Sequence, residues 1–270
     1  MDLKLQNKVV VVTGGSAGIG FESCLLFAQE GARVLIAARR PDKLAQAAEK
    51  LRSEVPDAQV DTISVDVTKV ADLDRLVDYV AKTYGRIDVL VNNAGTGTYK
   101  PFLEVTDEEL VYGMEINFFA QFRLIQRFTP MMIEQGGASI VNVTGKTSVQ
   151  VMPPPYRSSC TGPAKAAENR LTRVLATELG EHNIRVNAVV PGLVNTEERW
   201  AKWEREMAKR ELDEDEAAAT RTEWGKGIVR PGHEWGRPEE LADLIVFAAS
   251  DRASFITGAI LIADGGEDRS

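Results

Sequence analysis

The chain has 270 residues, 44% hydrophobic and 27% charged, and its 32 Lys and Arg against 40 Asp and Glu give a formal net charge of −8. That length suits one large α/β domain with an ample core, and the composition is that of an ordinary soluble globular protein. The acidic balance argues against non-specific binding to nucleic acid or an anionic membrane, no apolar run approaches the roughly 18 residues of a membrane helix, and Cys24 and Cys160 belong to no metal spacing or disulfide framework.

The N-terminal run MDLKLQNKVVVVTGG lacks the layout of a signal peptide, so a cytoplasmic protein is expected. Short runs rich in Val and Ile then alternate with amphipathic helical stretches of roughly 12–25 residues. The expected strands are Val9–Thr13, Arg33–Ala38, Val60–Val65, Val89–Asn92, Ser139–Val143, Arg185–Val190 and Ala259–Ala263. They read as apolar on both faces, the pattern of a parallel sheet covered by helices on both sides. Cys24 falls in a helical apolar pattern and is expected in the core. Seven such strands interleaved with helices predict a single-domain, Rossmann-type, doubly wound parallel sheet spanning residues 1–270.

The first strand runs into TGGSAGIG, Thr13 to Gly20, and then a helix. Glycines let backbone approach a pyrophosphate, and the N-terminus of the following helix offers unpaired N–H groups to it. The second strand ends in Ala38-Arg39-Arg40. A carboxylate there would repel a ribose 2′-phosphate, whereas Arg39 and Arg40 supply guanidinium groups suited to one. The expected cofactor is therefore NADP(H) in preference to NAD(H).

Residues 195–237 break the rhythm and hold all four tryptophans, Trp200, Trp203, Trp224 and Trp235. A charged helix is expected from Glu197 to about Ala219, with Trp200, Trp203 and Met207 on one face. A further helix should begin at Pro238, followed by Glu239 and Glu240 in its first turn.

Together TGGSAGIG, Asp66-Val67, NNAG at Asn92–Gly95, Asn117 in EINFFAQ, and PGLVNT at Pro191–Thr196 make the chain resemble the short-chain dehydrogenase/reductase family from Lys8 to Gly266. The resemblance implies that Gly14, Ser16, Ala17, Gly18, Ile19 and Gly20 face the pyrophosphate and that Arg39 meets the 2′-phosphate. Asp66 and Val67 would flank the adenine, and Asn93, Ala94 and Gly95 would stabilise the centre of the sheet and touch its ribose. Pro191, Gly192 and Val194 would pack on the nicotinamide, with Thr196 at its carboxamide. It also implies a homodimer or homotetramer built on long helices near Thr106–Glu134 and Thr161–Glu181, and a small-molecule substrate under a lid formed by residues 195–237. Trp200, Trp203 and Met207 would form the apolar underside of that lid, or an ordinary packing face.

In this family a Ser, a Tyr and a Lys act with an Asn, the Tyr exchanging a proton with the substrate while hydride moves. Lys165 and Asn117 match, but Gly145 falls on the Ser and Thr161 on the Tyr. An aliphatic hydroxyl is a far weaker acid than a phenol, so Thr161 is expected to hydrogen-bond rather than to donate a proton. The stretch from Gly145 to Lys165 is about three residues longer than usual, near MPPPYRSSC. Tyr156 follows three prolines that stiffen its loop; it is a candidate relocated acid or a pocket wall. The 2,4-dienoyl-CoA reductase branch, by resemblance, also has a small hydroxyl residue four before its Lys and its Tyr elsewhere on the loop, earlier than Tyr156. Lys146, Ser148, Ser158 and Ser159 are further polar candidates, while His182 and His233 read as structural or surface groups.

The expected function is an oxidoreductase with a non-standard proton donor that reduces a C=C, C=N or C=O bond of a bulky apolar substrate. Two other readings stand beside it: a non-redox lyase, cyclase or dehydratase on the same scaffold, and a silent NADP-binding protein.

Overall fold

Four consecutive valines and a threonine, Val9–Thr13, form β1 at the centre of the sheet and are buried on both faces. In the computed structural model the described residues are 2–151, 158–208, 214–216, 218–219, 228 and 234–267. The other strands are β2 (Arg33–Ala38), β3 (Gln59–Ser64), β4 (Val89–Asn92), β5 (Ala138–Val143), β6 (Ile184–Pro191) and β7 (Ile260–Ala263). All seven pair in parallel in the order β3-β2-β1-β4-β5-β6-β7. The expected strands match these to within about a residue at each end.

The helices are α1 (Gly18–Gln29), α2 (Pro41–Glu54), α3 (Val70–Tyr84), α4 (Asp107–Met114), α5 (Ala120–Glu134), α6 (Thr161–Glu178), α7 (Glu197–Ala208) and α8 (Pro238–Ala249). Alternate β1 residues serve different layers. Val10 and Val12 pack with Phe27 of α1, Leu51 of α2 and Ile245 of α8, while Val11 packs with Leu76 of α3 and Phe128 of α5. Burial on both faces explains why these strands carry no polar face. β3 departs from that expectation: at the sheet edge, only Val60 of Gln59–Ser64 is buried.

The helix expected over Thr106–Glu134 is interrupted. Thr106 and Glu109 form a reciprocal capping box at the start of α4. A π-helical turn, Glu115–Phe119, then separates α4 from α5. Asn117 lies in that turn, and its Nδ2 donates to Gly113 O at 2.9 Å. Leu110, Val111, Tyr112, Phe122 and Ile133 are exposed along α4 and α5.

The strand order reverses between β1 and β4. The glycine-rich turn after β1 and residues 93–100 after β4 therefore flank the crevice where open α/β sheets bind ligands.

Candidate functional site

The turn after β1 is assembled for a close approach. Gly14 and Gly18 take φ of +66° and +52°, which glycine adopts without the penalty of a side chain. A β-carbon on Gly20 would stand 2.4 Å from Gly14 O, so the turn closes only with glycine there. Helix α1 has no side-chain cap and no acidic residue in its first turn, leaving N–H groups and positive dipole directed into the crevice. These features fit a dinucleotide pyrophosphate.

Asn93 fastens this turn to the end of β4. Its Nδ2 donates to Thr13 O and Gly14 O, both at 3.1 Å, and its N–H donates to Thr13 Oγ1 at 3.0 Å. After β3, the Asp66 carboxylate accepts from Thr68 N and Oγ1, and Asp66 N–H donates to Asp72. The Asp66 N–H first, and the Arg75 guanidinium after it, hold the Asp72 carboxyl below its ordinary value. Val67 is buried beside them. Arg39 is exposed at the end of β2, and Arg40 pairs with Glu198 of α7 at 3.9 Å. Thr196 stands against Gly18, whose added β-carbon would lie 3.3 Å from Thr196 Cγ2.

A cleft of about 200 Å³ continues from the turn and is lined by Ile19, Gly95, Tyr99, Gly145, Lys165 and Pro191 among others. Two glycines shape its loop wall. A β-carbon on Gly95 would stand 2.9 Å from Asn117 Oδ1 and 3.2 Å from Lys165 Nζ, and one on Gly97 would stand 2.8 Å from the Tyr99 hydroxyl. Lys165 is half-buried, its stem along Gly145 and its Nζ donating to Val143 O at a long 3.4 Å.

Asn117 and Thr161 are tied into the structure. Asn117 is fully buried, and its Oδ1 accepts from Thr96 N at 3.0 Å. Thr161 is 1% exposed. Its hydroxyl oxygen accepts from Thr98 N at 3.2 Å and shares a hydrogen bond with Ser158 Oγ. Asn117 thus holds the 95–100 loop against the Glu115–Phe119 turn, and Thr161 holds it against α6. Lys100 extends the attachment through a bridge to Ser158 and an ion pair with Glu109 at 2.5 Å.

Burial of the Lys165 amine depresses its proton affinity, an effect opposed by Glu168 one turn later on α6. Glu168 is 0% exposed, and neither carboxylate oxygen has a hydrogen-bond partner. Burial therefore pushes its carboxyl up to about 8, with Lys165 pulling it down.

Tyr156, His233 and Trp224 lie outside the described residues, as do the side chains of Trp203 and Met207. Trp200 stacks on Trp235 with ring centroids 4.7 Å apart and donates through Nε1 to Asn195. Arg199, not Trp200, is the α7 side chain among those that line the cleft. Pro191 and Gly192 also line it, while Val194 is buried in the core. Of the other polar candidates, Lys146 is ion-paired with Glu267, and Ser148 accepts from Asn169 Nδ2 at 2.8 Å.

Sequence reasoning missed two residues here. Tyr99 was visible as a phenol in a glycine-containing run after β4, at the switch point of the sheet. Glu168 was visible through spacing: Thr161, Lys165, Glu168 and Thr172 share one helical face, and that face meets the sheet.

Over residues 14–267 the chain matches the family model described as enoyl-(acyl carrier protein) reductase. The 3alpha-hydroxysteroid dehydrogenase of Mediterraneibacter gnavus is 36% identical over 268 residues, covering 98% of each chain. L-sorbose reductase from Gluconobacter frateurii, solved with NADPH and L-sorbose, is similar over 100% of both chains with a TM-score of 0.91 and 33% identity. An NADPH-bound short chain oxidoreductase from Pseudomonas aeruginosa, described as containing an atypical catalytic center, gives a TM-score of 0.85 at 29% identity, covering 98% of this chain and 99% of that one. With its seven-stranded parallel sheet and glycine-rich turn at the switch point, the chain belongs to the short-chain dehydrogenase/reductase family.

Proposed function

We propose that the protein is an NADP(H)-dependent oxidoreductase in which the substrate's proton is handled by a group other than the residue four before Lys165. The observation that carries this reading is the contrast inside one cleft. Lys165 borders it beside the uncapped α1 turn, whereas the Thr161 hydroxyl is buried and engaged by Thr98 and Ser158.

NADPH, when bound, supplies hydride to the substrate. Gly14, Ser16, Ala17, Gly18, Ile19 and Gly20 would hold its pyrophosphate, Arg39 and Arg40 its 2′-phosphate, and Lys165 the ribose next to the reacting ring. The NADPH-bound relatives support the nicotinamide part of this assignment, and the two arginines support the phosphate part. Reduction of an activated C=C or C=N bond suits a site without the usual Tyr, because such substrates can take their proton from water or arrive protonated. Residues 195–237 would form the lid over the substrate. The exposed apolar residues of α4 and α5 support a homodimer or homotetramer built on those helices and α6. Light scattering is expected to return such an oligomer, and a monomer at micromolar concentration would contradict it.

Tyr99 is the one phenol lining the cleft among the described residues, and we assign it the hydrogen bond to the substrate. Tyr99→Phe is expected to lower kcat by roughly 10²–10⁴-fold while leaving NADPH affinity intact. Turnover is followed as loss of nicotinamide absorbance across a panel of activated C=C, C=N and C=O compounds. A full rate in Tyr99→Phe together with a lost rate in Tyr156→Phe would move the role to Tyr156.

A further inference from the structure

Glu168 is the buried acid that the reading above does not use. It is not among the residues that line the cleft, yet it stands three residues after Lys165 on the face of α6 that meets the sheet. Residues so spaced have β-carbons about 5–6 Å apart. Its carboxyl is fully enclosed, and neither oxygen receives a hydrogen bond. A buried carboxylate without donors is far more costly than the neutral acid.

Among the described residues, Lys165 is the one charged group that acts on it. α6 packs against α4, the Glu115–Phe119 turn, the Lys146–Ser148 turn, the Gly180–His182 turn, β5 and β6. On those elements Asp107 and Glu108 are exposed, Glu109 pairs with Lys100, Glu115 with Arg123, Lys146 with Glu267 and His182 with the exposed Glu181, while Arg185 donates to the carbonyls of Ala248, Ala249, Ser250 and Ile256. Asn142 is engaged by Asn92 and Thr172. Lys165 is the group that acts on the Glu168 charge.

Lys165 is itself under-satisfied. Its amine has a single long contact to Val143 O and borders the cleft. With the cleft empty, an uncharged acid beside an uncharged amine avoids burying two charges. Once the amine meets hydroxyl oxygens of a bound ribose, its cationic form gains acceptors, and the charge that forms on Glu168 gains a nearby countercharge.

We propose that Glu168 is the internal proton partner of Lys165, holding a proton as the carboxylic acid and giving it to the Lys165 amine when a dinucleotide ribose engages that amine. The step balances within the pair: the carboxyl O–H bond breaks, the amine N–H bond forms, and acid plus amine become carboxylate plus ammonium. Glu168 is thus a positioning residue acting through Lys165, and the inference rests on the reading that the cleft holds NADPH.

The test is infrared difference spectroscopy of the wild-type chain with and without NADPH, with ¹³C-glutamate labelling to assign the band. A protonated-carboxyl C=O band is expected in the free protein and is expected to disappear when NADPH binds. Glu168→Gln should lack the band. Titration calorimetry in two buffers of different ionisation enthalpy gives a second readout. The wild type should take up almost no net proton on binding NADPH, and Glu168→Gln should take up a substantial fraction of one. NADPH binding with no loss of a glutamic acid band would overturn the proposal alone. Absence of NADPH binding would overturn the reading of the cleft and the proposal with it. The wild-type spectrum decides the matter even if the variant fails to fold.

Discussion

Lys165→Met is expected to lower turnover by roughly 10²–10⁴-fold, the range removed with a group that holds or moves a proton at the reacting centre. Methionine keeps an unbranched stem along Gly145, where the Lys165 Cδ and Cε would lie 3.5 and 3.8 Å from an added β-carbon. The substitution therefore removes the amine with little change in packing. Loss of a charged hydrogen bond to the ribose is expected to weaken NADPH binding by about 10–100-fold. Steady-state rates at saturating NADPH, set beside a binding titration, separate the two effects. A variant that binds NADPH weakly yet turns over at the wild-type rate would restrict Lys165 to cofactor binding.

The second large effect is on stability. Glu168→Leu is expected to stabilise the fold by roughly 1–4 kcal/mol at mildly alkaline pH, the range found when well-packed apolar side chains replace buried ionisable groups. The pH dependence follows from the raised carboxyl. Below its ordinary value of 4.5 the group is protonated in both folded and unfolded chains and adds no linked cost. As pH rises from 4.5 to about 8 the unfolded chain releases this proton and the folded chain keeps it, so the wild type loses stability across that window. Above about 8 the full cost is present. The Lys165 amine, depressed by burial, works in the opposite sense: its contribution rises with pH between its lowered value and 10.5. The advantage of Glu168→Leu over the wild type should therefore widen between pH 4.5 and 8, read from denaturant midpoints at a series of pH values. An advantage independent of pH would place the carboxyl in a hydrated or hydrogen-bonded site.

The sheet and the glycine-rich turn after β1 were legible in the sequence because local pattern determines them. Runs of Val and Ile buried on both faces, and glycines where a side chain would meet backbone within 3 Å, leave a plain record. The edge strand was less legible. Gln59–Ser64 carries polar residues because it is the edge strand, paired with β2 on one side only. The π-helical turn at Glu115–Phe119 has no local marker, since what stabilises it is Asn117 bonding Gly113 O and Thr96 N, the latter in a loop twenty-one residues earlier.

The same holds for the Thr161 end of the cleft. Spacing places Thr161 four residues before Lys165, but its attachment to Thr98 depends on how the loop after β4 returns to α6. Periodicity places Trp200 on one face of α7, as the underside of a lid or an ordinary packing face; its stack on Trp235, thirty-five positions later, is beyond the reach of helical period. Glu168 stood in the amphipathic pattern of α6, and only its enclosure without partners marks it out.

The central claim is that the cleft between the α1 turn and Lys165 holds a phosphorylated dinucleotide. Its most direct measurement is a calorimetric titration of the wild type with NADPH and NADH side by side, repeated on Arg39→Ala. One NADPH per chain is expected, bound roughly 10–100-fold more tightly than NADH, with most of that preference lost in Arg39→Ala. No heat of binding at saturating NADPH, or equal affinity for NADH with Arg39 intact, would contradict it.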